Sequence, residues 1–256
     1  MALLRDLLAD LDDLLEPGRY RDFCPNGLQV PPPAGLDAEI RTVVTAVSAD
    51  RQALGEAVAL GGDLVIVHHG LFWDGDPRAL EPPLAERLRL VLGAGLALAS
   101  YHLPLDGHPT VGNNALLAEA LGASSAPWAG SGDPAIGVEA RFEEPLPLAA
   151  LASRVAVVTG REPLVLPGEA ERPVARLGIV SGAAAGLLPR AAEDGLDALL
   201  TGEPREPTRG LALELGVHAI CAGHHATETR GVQALGARLA RHHGVSHRFV
   251  DTGNPV

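Results

Sequence analysis

The chain has 256 residues, 46% of them hydrophobic and only 3% aromatic, with a formal net charge of −12. That is enough apolar content for one large or two small α/β units with a core of Leu, Ala and Val. The acidity argues against a broad nucleic-acid face, because counterion release needs clustered positive charge. Every basic residue is Arg, and the absence of Lys excludes Schiff-base chemistry and a Walker-type phosphate loop.

Cys24 and Cys221 are too few and too far apart for a disulfide framework or a thiolate zinc site. The opening residues are charged at helical spacing rather than basic and then apolar, and no apolar run reaches membrane-spanning length. A cytoplasmic protein with no membrane partner is expected.

Leu3, Leu4, Leu7, Leu8 and Leu11 recur with helical period, predicting an amphipathic helix that Pro17-Gly18 stops. An extended stretch follows. Val43 to Val47 and Leu64 to Val67 read as short buried strands flanking a helix over Arg51 to Leu60. Leu96 to Ala99 reads as a third strand after a helix over Pro83 to Leu92. Asn113 and Asn114 read as N-caps of a helix through Leu121.

The small, turn-rich stretch Ser124 to Pro134 reads as the boundary between halves. Beyond it come a strand Leu177 to Val180, a helix Leu187 to Asp194 and a strand Ala198 to Leu200. A helix Thr208 to Leu215, a strand Ala219 to Cys221 and a helix Thr227 to His243 complete the order. Alternation of strand and helix predicts an α/β fold of two similar halves, 1–125 and 126–256, with mostly parallel sheets. The last helix and strand are expected to pack back on the first half. Gly62 to Gly70 resembles Leu196 to Glu203, and the stretch ending at Asp106 resembles the one ending at Glu228. Each is a strand followed by a polar cluster, which places a metal site at the seam between the halves, where strand ends collect ligands.

Three polar clusters follow buried strands: His68-His69, His102 to Asp106, and His224 to Glu228. Imidazole with carboxylate suits Zn, Fe, Mn or Ni. A single ion needs three or four protein ligands, whereas His68, His69, Asp106, His224 and Glu228 supply five, so two divalent ions are expected. Asp106 and Glu228 are the bridging candidates. Adjacent histidines on one strand point to opposite faces, so His68 and His69 are expected to meet only where the strand breaks, and Gly70 permits that break.

Each fragment alone also fits a plain hydrogen-bonded pair. His102, His108 and His225 neighbour the proposed ligands and suit orientation or proton transfer, with His102 and His225 as the catalytic candidates. Glu203 either leans over the seam or serves as a helix-start carboxylate before Pro204. His242, His243 and His247 read as the polar close of a surface helix. The loop Val180 to Gly186 reads as tight helix–strand packing ahead of anion binding.

Five segments carry a resemblance: Asn26-Gly27-Leu28-Gln29, His68 to Trp73, Leu103 to Asp106 with Gly112-Asn113-Asn114, Leu200 to Glu203, and Gly223 to Glu228. In this order the chain resembles the GTP cyclohydrolase I type 2-like family, also called NIF-three-like, in its short bacterial form. The resemblance implies a dinuclear metal site on the same five residues and a ring-shaped homohexamer with the metals facing an internal cavity.

The expected function is therefore that of a metal-dependent hydrolase, a GTP cyclohydrolase 1 type 2 homolog acting on a nucleotide-like or cyclic-amide small molecule. His102 or His225 would move protons, and Phe72, Trp73 or Tyr101 would stack on a flat substrate. The alternative is a scaffold for metal storage, delivery or regulation without turnover. DNA threaded through a ring suits the acidic charge poorly.

Overall fold

The computed structural model describes residues 1–168 and 172–256. By contact density the chain divides into two compact units, Met1–Leu105 with Gly231–Gly253, and Asp106–Arg230 with Asn254–Val256. Each contains strands and helices in alternation around its own sheet.

In the first unit the helix Leu4–Leu15 buries Leu4, Leu7, Leu8, Leu11 and Leu15, the stripe its sequence spacing predicts. It ends where Glu16 turns left-handed at φ 46°, just before Pro17. The sheet has five strands in the order Ser246–Phe249, Thr42–Ser48, Leu64–His69, Ala97–Ser100, Gly27–Val30. The first four are mutually parallel, and Gly27–Val30 runs antiparallel at the edge. Parallel neighbours need crossovers, and the helices Arg51–Ala59 and Pro82–Ala94 supply two of them. Asp50 caps the first, its side chain accepting the Ala53 N–H. Val44, Ala46, Val65, Val67 and Leu98 pack with Leu54, Ala57 and Val91 in a single buried cluster.

The second unit holds a six-stranded sheet in the order Ser124–Pro127, Val138–Leu146, Val174–Ile179, Ala198–Thr201, His218–Cys221, Leu164–Leu166. Its three central strands are parallel and its outer pairings antiparallel. Both faces are covered: Ala198, Leu200 and Ile220 join one core cluster, while Leu199 and Ala219 join the other. That alternation is the two-residue period of a strand buried on both sides. The turn-rich stretch after Leu121 lies inside this unit, where Ser124–Pro127 forms an edge strand paired with Val138–Leu146.

The α/β class with largely parallel central strands agrees with the sequence reading. The helix Leu148–Thr159 and the strands Val138–Leu146 and Leu164–Leu166 had no counterpart in it. Both strands lie on the flanks of their sheet, short or alternating with polar residues, and their partners rather than their own hydrophobicity stabilise them. Among the described residues no helix is long and apolar enough to cross a membrane.

Candidate metal centre

In the first unit the strand Leu64–His69 continues through both histidines instead of breaking before them. The His68 and His69 rings nevertheless lie with centroids 4.7 Å apart. Gly70 has a different role from the one its conformational freedom suggests. A Cβ there would fall 2.3 Å from Gln29 Nε2, so any larger residue would displace the Gln29 amide, which accepts the Leu71 N–H at 2.8 Å.

His68, His69 and His102 each offer a ring nitrogen, all within 4.8 Å of one another, so this cluster could hold a metal ion. Their Nδ1 atoms are engaged elsewhere. His68 Nδ1–H donates to the Tyr101 carbonyl at 3.0 Å. His69 Nδ1 pairs with Ser48 Oγ at 3.0 Å, and His102 Nδ1 lies 2.8 Å from Asp22 Oδ1. An imidazole that gives its Nδ1 proton to an oxygen acceptor presents Nε2 as the basic nitrogen, which is how ligating histidines are oriented.

Asp22 is a residue that sequence reading missed. Its carboxylate accepts from His102, from the Asn26 amide and from the Phe23, Cys24 and Leu103 N–H groups. Burial opposes its ionisation, but the hydrogen bonds of His102 and Asn26 outweigh that and hold the carboxyl at about 2. The only sequence signal was an Asp opening a tight turn before Pro25.

In the second unit the final helix starts at His224, three residues before the predicted Thr227. His224 and Glu228 thereby become i, i+4 neighbours on one helical face, with Nε2 to Oε1 at 3.3 Å. His224 Nδ1 lies 3.2 Å from Glu203 Oε1, so Glu203 orients the imidazole, a role beyond that of a helix-start charge. The Glu228 hydrogen bond, opposed by burial and reinforced by Glu203, pushes His224 up to about 9. His225, one position on, is turned about 100° around the helix; it is buried, and its N–H donates to the Val256 carbonyl.

Asp106 and Glu228 are 7% and 2% exposed and bring carboxylate oxygens within 4.8 Å of each other. Asp106 Oδ1 accepts from Asn113 Nδ2 at 2.8 Å and Ser181 Oγ at 3.0 Å. Asn113 and Asn114 are therefore not N-caps. Gly112 occupies the cap position, and both amides point inward, Asn114 bonding the Ile136 carbonyl and the Ser181 N–H. Backbone closeness completes the cradle. At Gly182, φ +65°, a Cβ would lie 2.6 Å from Glu228 Oε1 and 3.1 Å from His224 Nε2. The N–H groups of Ser181, Gly182 and Ala184 are spent on Asn114, Thr227 and Thr201, which fits the packing role expected of that loop.

The remaining sequence candidates have other duties. His108 Nδ1 accepts the N–H groups of Thr110 and Val111. His242 and His243, with Arg238, surround Asp10 on the first helix, and His247 Nε2 reaches Thr45 Oγ1 at 2.8 Å. These three histidines are thus not a plain surface close. Tyr101 is fully buried with its hydroxyl on Asp12, and Phe72 packs against the core, so of the three rings expected to stack only Trp73 stays beside the histidines.

These side chains offer donors that could hold a metal ion, in a mixed α/β protein. The Duf34/NIF3 (NGG1p interacting factor 3) family profile matches residues 2–255, and the chain belongs to that family. It is 40% identical to the GTP cyclohydrolase 1 type 2 homolog of Pseudomonas aeruginosa, over 99% of this chain and 98% of that protein. Among solved structures it is similar to the protein ybgI, of unknown function, with a TM-score of 0.92 and 35% identity over the whole of both chains. A Thermus thermophilus protein gives a TM-score of 0.89 at 36% identity, again over the whole of both chains.

Proposed function

We propose that His68, His69, Asp106, His224 and Glu228 hold two divalent cations and that the protein is a metal-dependent hydrolase of a nucleotide-like or cyclic-amide small molecule. The observation that carries this reading is the common orientation of the imidazoles. His68, His69 and His224 all commit Nδ1 to an oxygen, which makes Nε2 the ligand atom. The Gly182 cradle fits too, since it leaves room at the His224 and Glu228 ligand atoms that any side chain would fill. Zn, Fe, Mn and Ni all accept such a donor set.

Bound cations would supply a water acidified toward neutral pH. The protein's own groups do the rest. Asn113 and Ser181 orient the Asp106 carboxylate, and Glu203 orients His224. His102, fixed at Nδ1 by Asp22, is the proton carrier in this reading. His225, turned away from the His224–Glu228 face, is left to a supporting place. The same reading includes a homohexameric ring and a cytoplasmic setting, to which the two buried free cysteines are suited.

Elemental analysis of protein isolated without added metal, followed by turnover across a nucleotide and cyclic-amide panel with and without chelator, tests the proposal. Two ions per chain and chelator-sensitive product support it. Stably bound metal with no product across the panel favours a storage, delivery or regulatory scaffold, and absence of tight metal binding removes the centre altogether.

A further inference from the structure

With four Phe, two Trp and two Tyr in 256 residues, the placement of each ring carries weight. Phe23 and Trp73 come together beside His102. Their centroids are 5.8 Å apart with planes at 34°. Each meets the His102 imidazole edge to face, at 5.1 Å for Phe23 and 5.2 Å for Trp73. Trp73 also lies 5.8 Å from the His69 ring. Phe23 is 51% exposed and is the one aromatic among the exposed large apolar side chains of the described residues.

These rings are held in place. The Phe23 carbonyl accepts the Asp74 N–H at 2.8 Å, and the Phe23 N–H donates to Asp22 Oδ1 at 2.8 Å. The Trp73 N–H donates to Asp76 Oδ2 at 3.0 Å, and its indole N–H to the Gly70 carbonyl at 3.2 Å. A large ring kept at the surface by pinned backbone on both neighbouring segments is a preorganised contact, because its ordering cost is met before any ligand arrives.

We infer that Phe23 and Trp73 form a stacking shelf for a planar nitrogen heterocycle, presenting its edge to His102; the inference rests on the metal-centre reading and names the substrate class of that site. A third ring inserted between the two would need about 7 Å, two van der Waals gaps, so the ligand lies on their outer faces. The charged residues flanking the two rings in sequence are Arg21, Asp22, Asp74 and Asp76, a net acidic surround, so the shelf itself selects the base and leaves any phosphate to the proposed cations. Trp73 also lines a cavity of about 200 Å³ with Asp76, Glu81 and Arg87, room for a substituent on the ring.

The test uses full-length, metal-loaded protein with guanosine and adenosine as probes and ribose as the ring-free control. Trp128 is 4% exposed, so Trp73 is the responsive fluorophore, and Trp128→Phe isolates its signal. Either nucleoside is expected to quench emission saturably and ribose not to. By calorimetry Phe23→Ala and Trp73→Leu should weaken nucleoside binding about tenfold, and Trp73→Phe should retain most of it. Wild-type affinity in Phe23→Ala, or quenching that never saturates, overturns the shelf. So does a Phe23→Ala variant that changes oligomeric mass at unchanged affinity, which would make the ring a subunit contact. Metal content measured on the same samples separates the two readings: full metal without nucleoside binding sinks the shelf alone, and nucleoside binding by a chain that takes up no metal sinks the centre alone.

Discussion

Asn113 gives an Nδ2 hydrogen to Asp106 Oδ1 across 2.8 Å, from the first turn of the helix that follows the acid by seven residues. Both side chains are buried, so the bond fixes the orientation of the carboxylate that the proposed centre would use. Asn113→Ala is expected to lower metal affinity on the order of 10- to 100-fold, and to cost about 1–3 kcal/mol of stability through the unsatisfied contact. Asn113→Asp should be worse for metal-free stability, since it places a second carboxylate against the first. Chelator competition and urea denaturation read the two effects.

If Asp106 and Glu228 bridge, Asp106→Ala and Glu228→Ala should each lose both ions, whereas His68→Ala should lose mainly one. Elemental analysis per chain checks this, and equal stoichiometry in the Asp106 and His68 variants contradicts the bridging assignment.

Gly182→Ala tests the cradle. Its Cβ would sit 2.6 Å from Glu228 Oε1 in a backbone at φ +65°, so the helix start must retreat or the ligand atoms separate. Loss of metal with a stability decrease of about 1 kcal/mol or more is expected, by elemental analysis and thermal melting. A metal-replete Gly182→Ala protein would show that the close approach has no bearing on coordination.

Asp22 gives a pH dependence. Its folded value is depressed from 3.8 to about 2, so its contribution is complete above 3.8 and is lost as pH falls from there toward 2. The side chain is only 3% exposed, and the contribution at neutral pH is about 2 kcal/mol. Asp22→Asn should therefore be less stable than wild type at pH 7 and converge on it near pH 2. Denaturant midpoints across that range decide the matter, and parallel curves would refute it.

Much of the candidate site was legible because ligand chemistry is written in residue type: an imidazole or carboxylate just after an apolar strand stands out against a chain with ten His. The supporting groups were not. Asp22, Ser48, Asn113, Ser181 and Glu203 act through hydrogen bonds to residues 7 to 80 positions away, and a lone polar residue carries no mark of its partner. Asn113 and Asn114 suited the cap reading, which counts only local donors, and the buried amide network overrode that preference.

The buried parallel strands and the amphipathic first helix announce themselves by apolar run length and by a 3.6-residue period, both properties of neighbouring residues. Thr42–Ser48, Leu64–His69 and Leu4–Leu15 were determined in that way. Ser124–Pro127 was not, since Ser-Ser-Ala-Pro has the composition of a loop and becomes a strand through its pairing with Val138–Leu146. Ser246–Phe249 likewise gains its place from Thr42–Ser48, some two hundred residues earlier. Local pattern thus determined which residues could be core or ligand. Only the tertiary structure decided which edge strands form and which oxygen holds each imidazole, because those free energies belong to pairs of distant groups and to neither group alone.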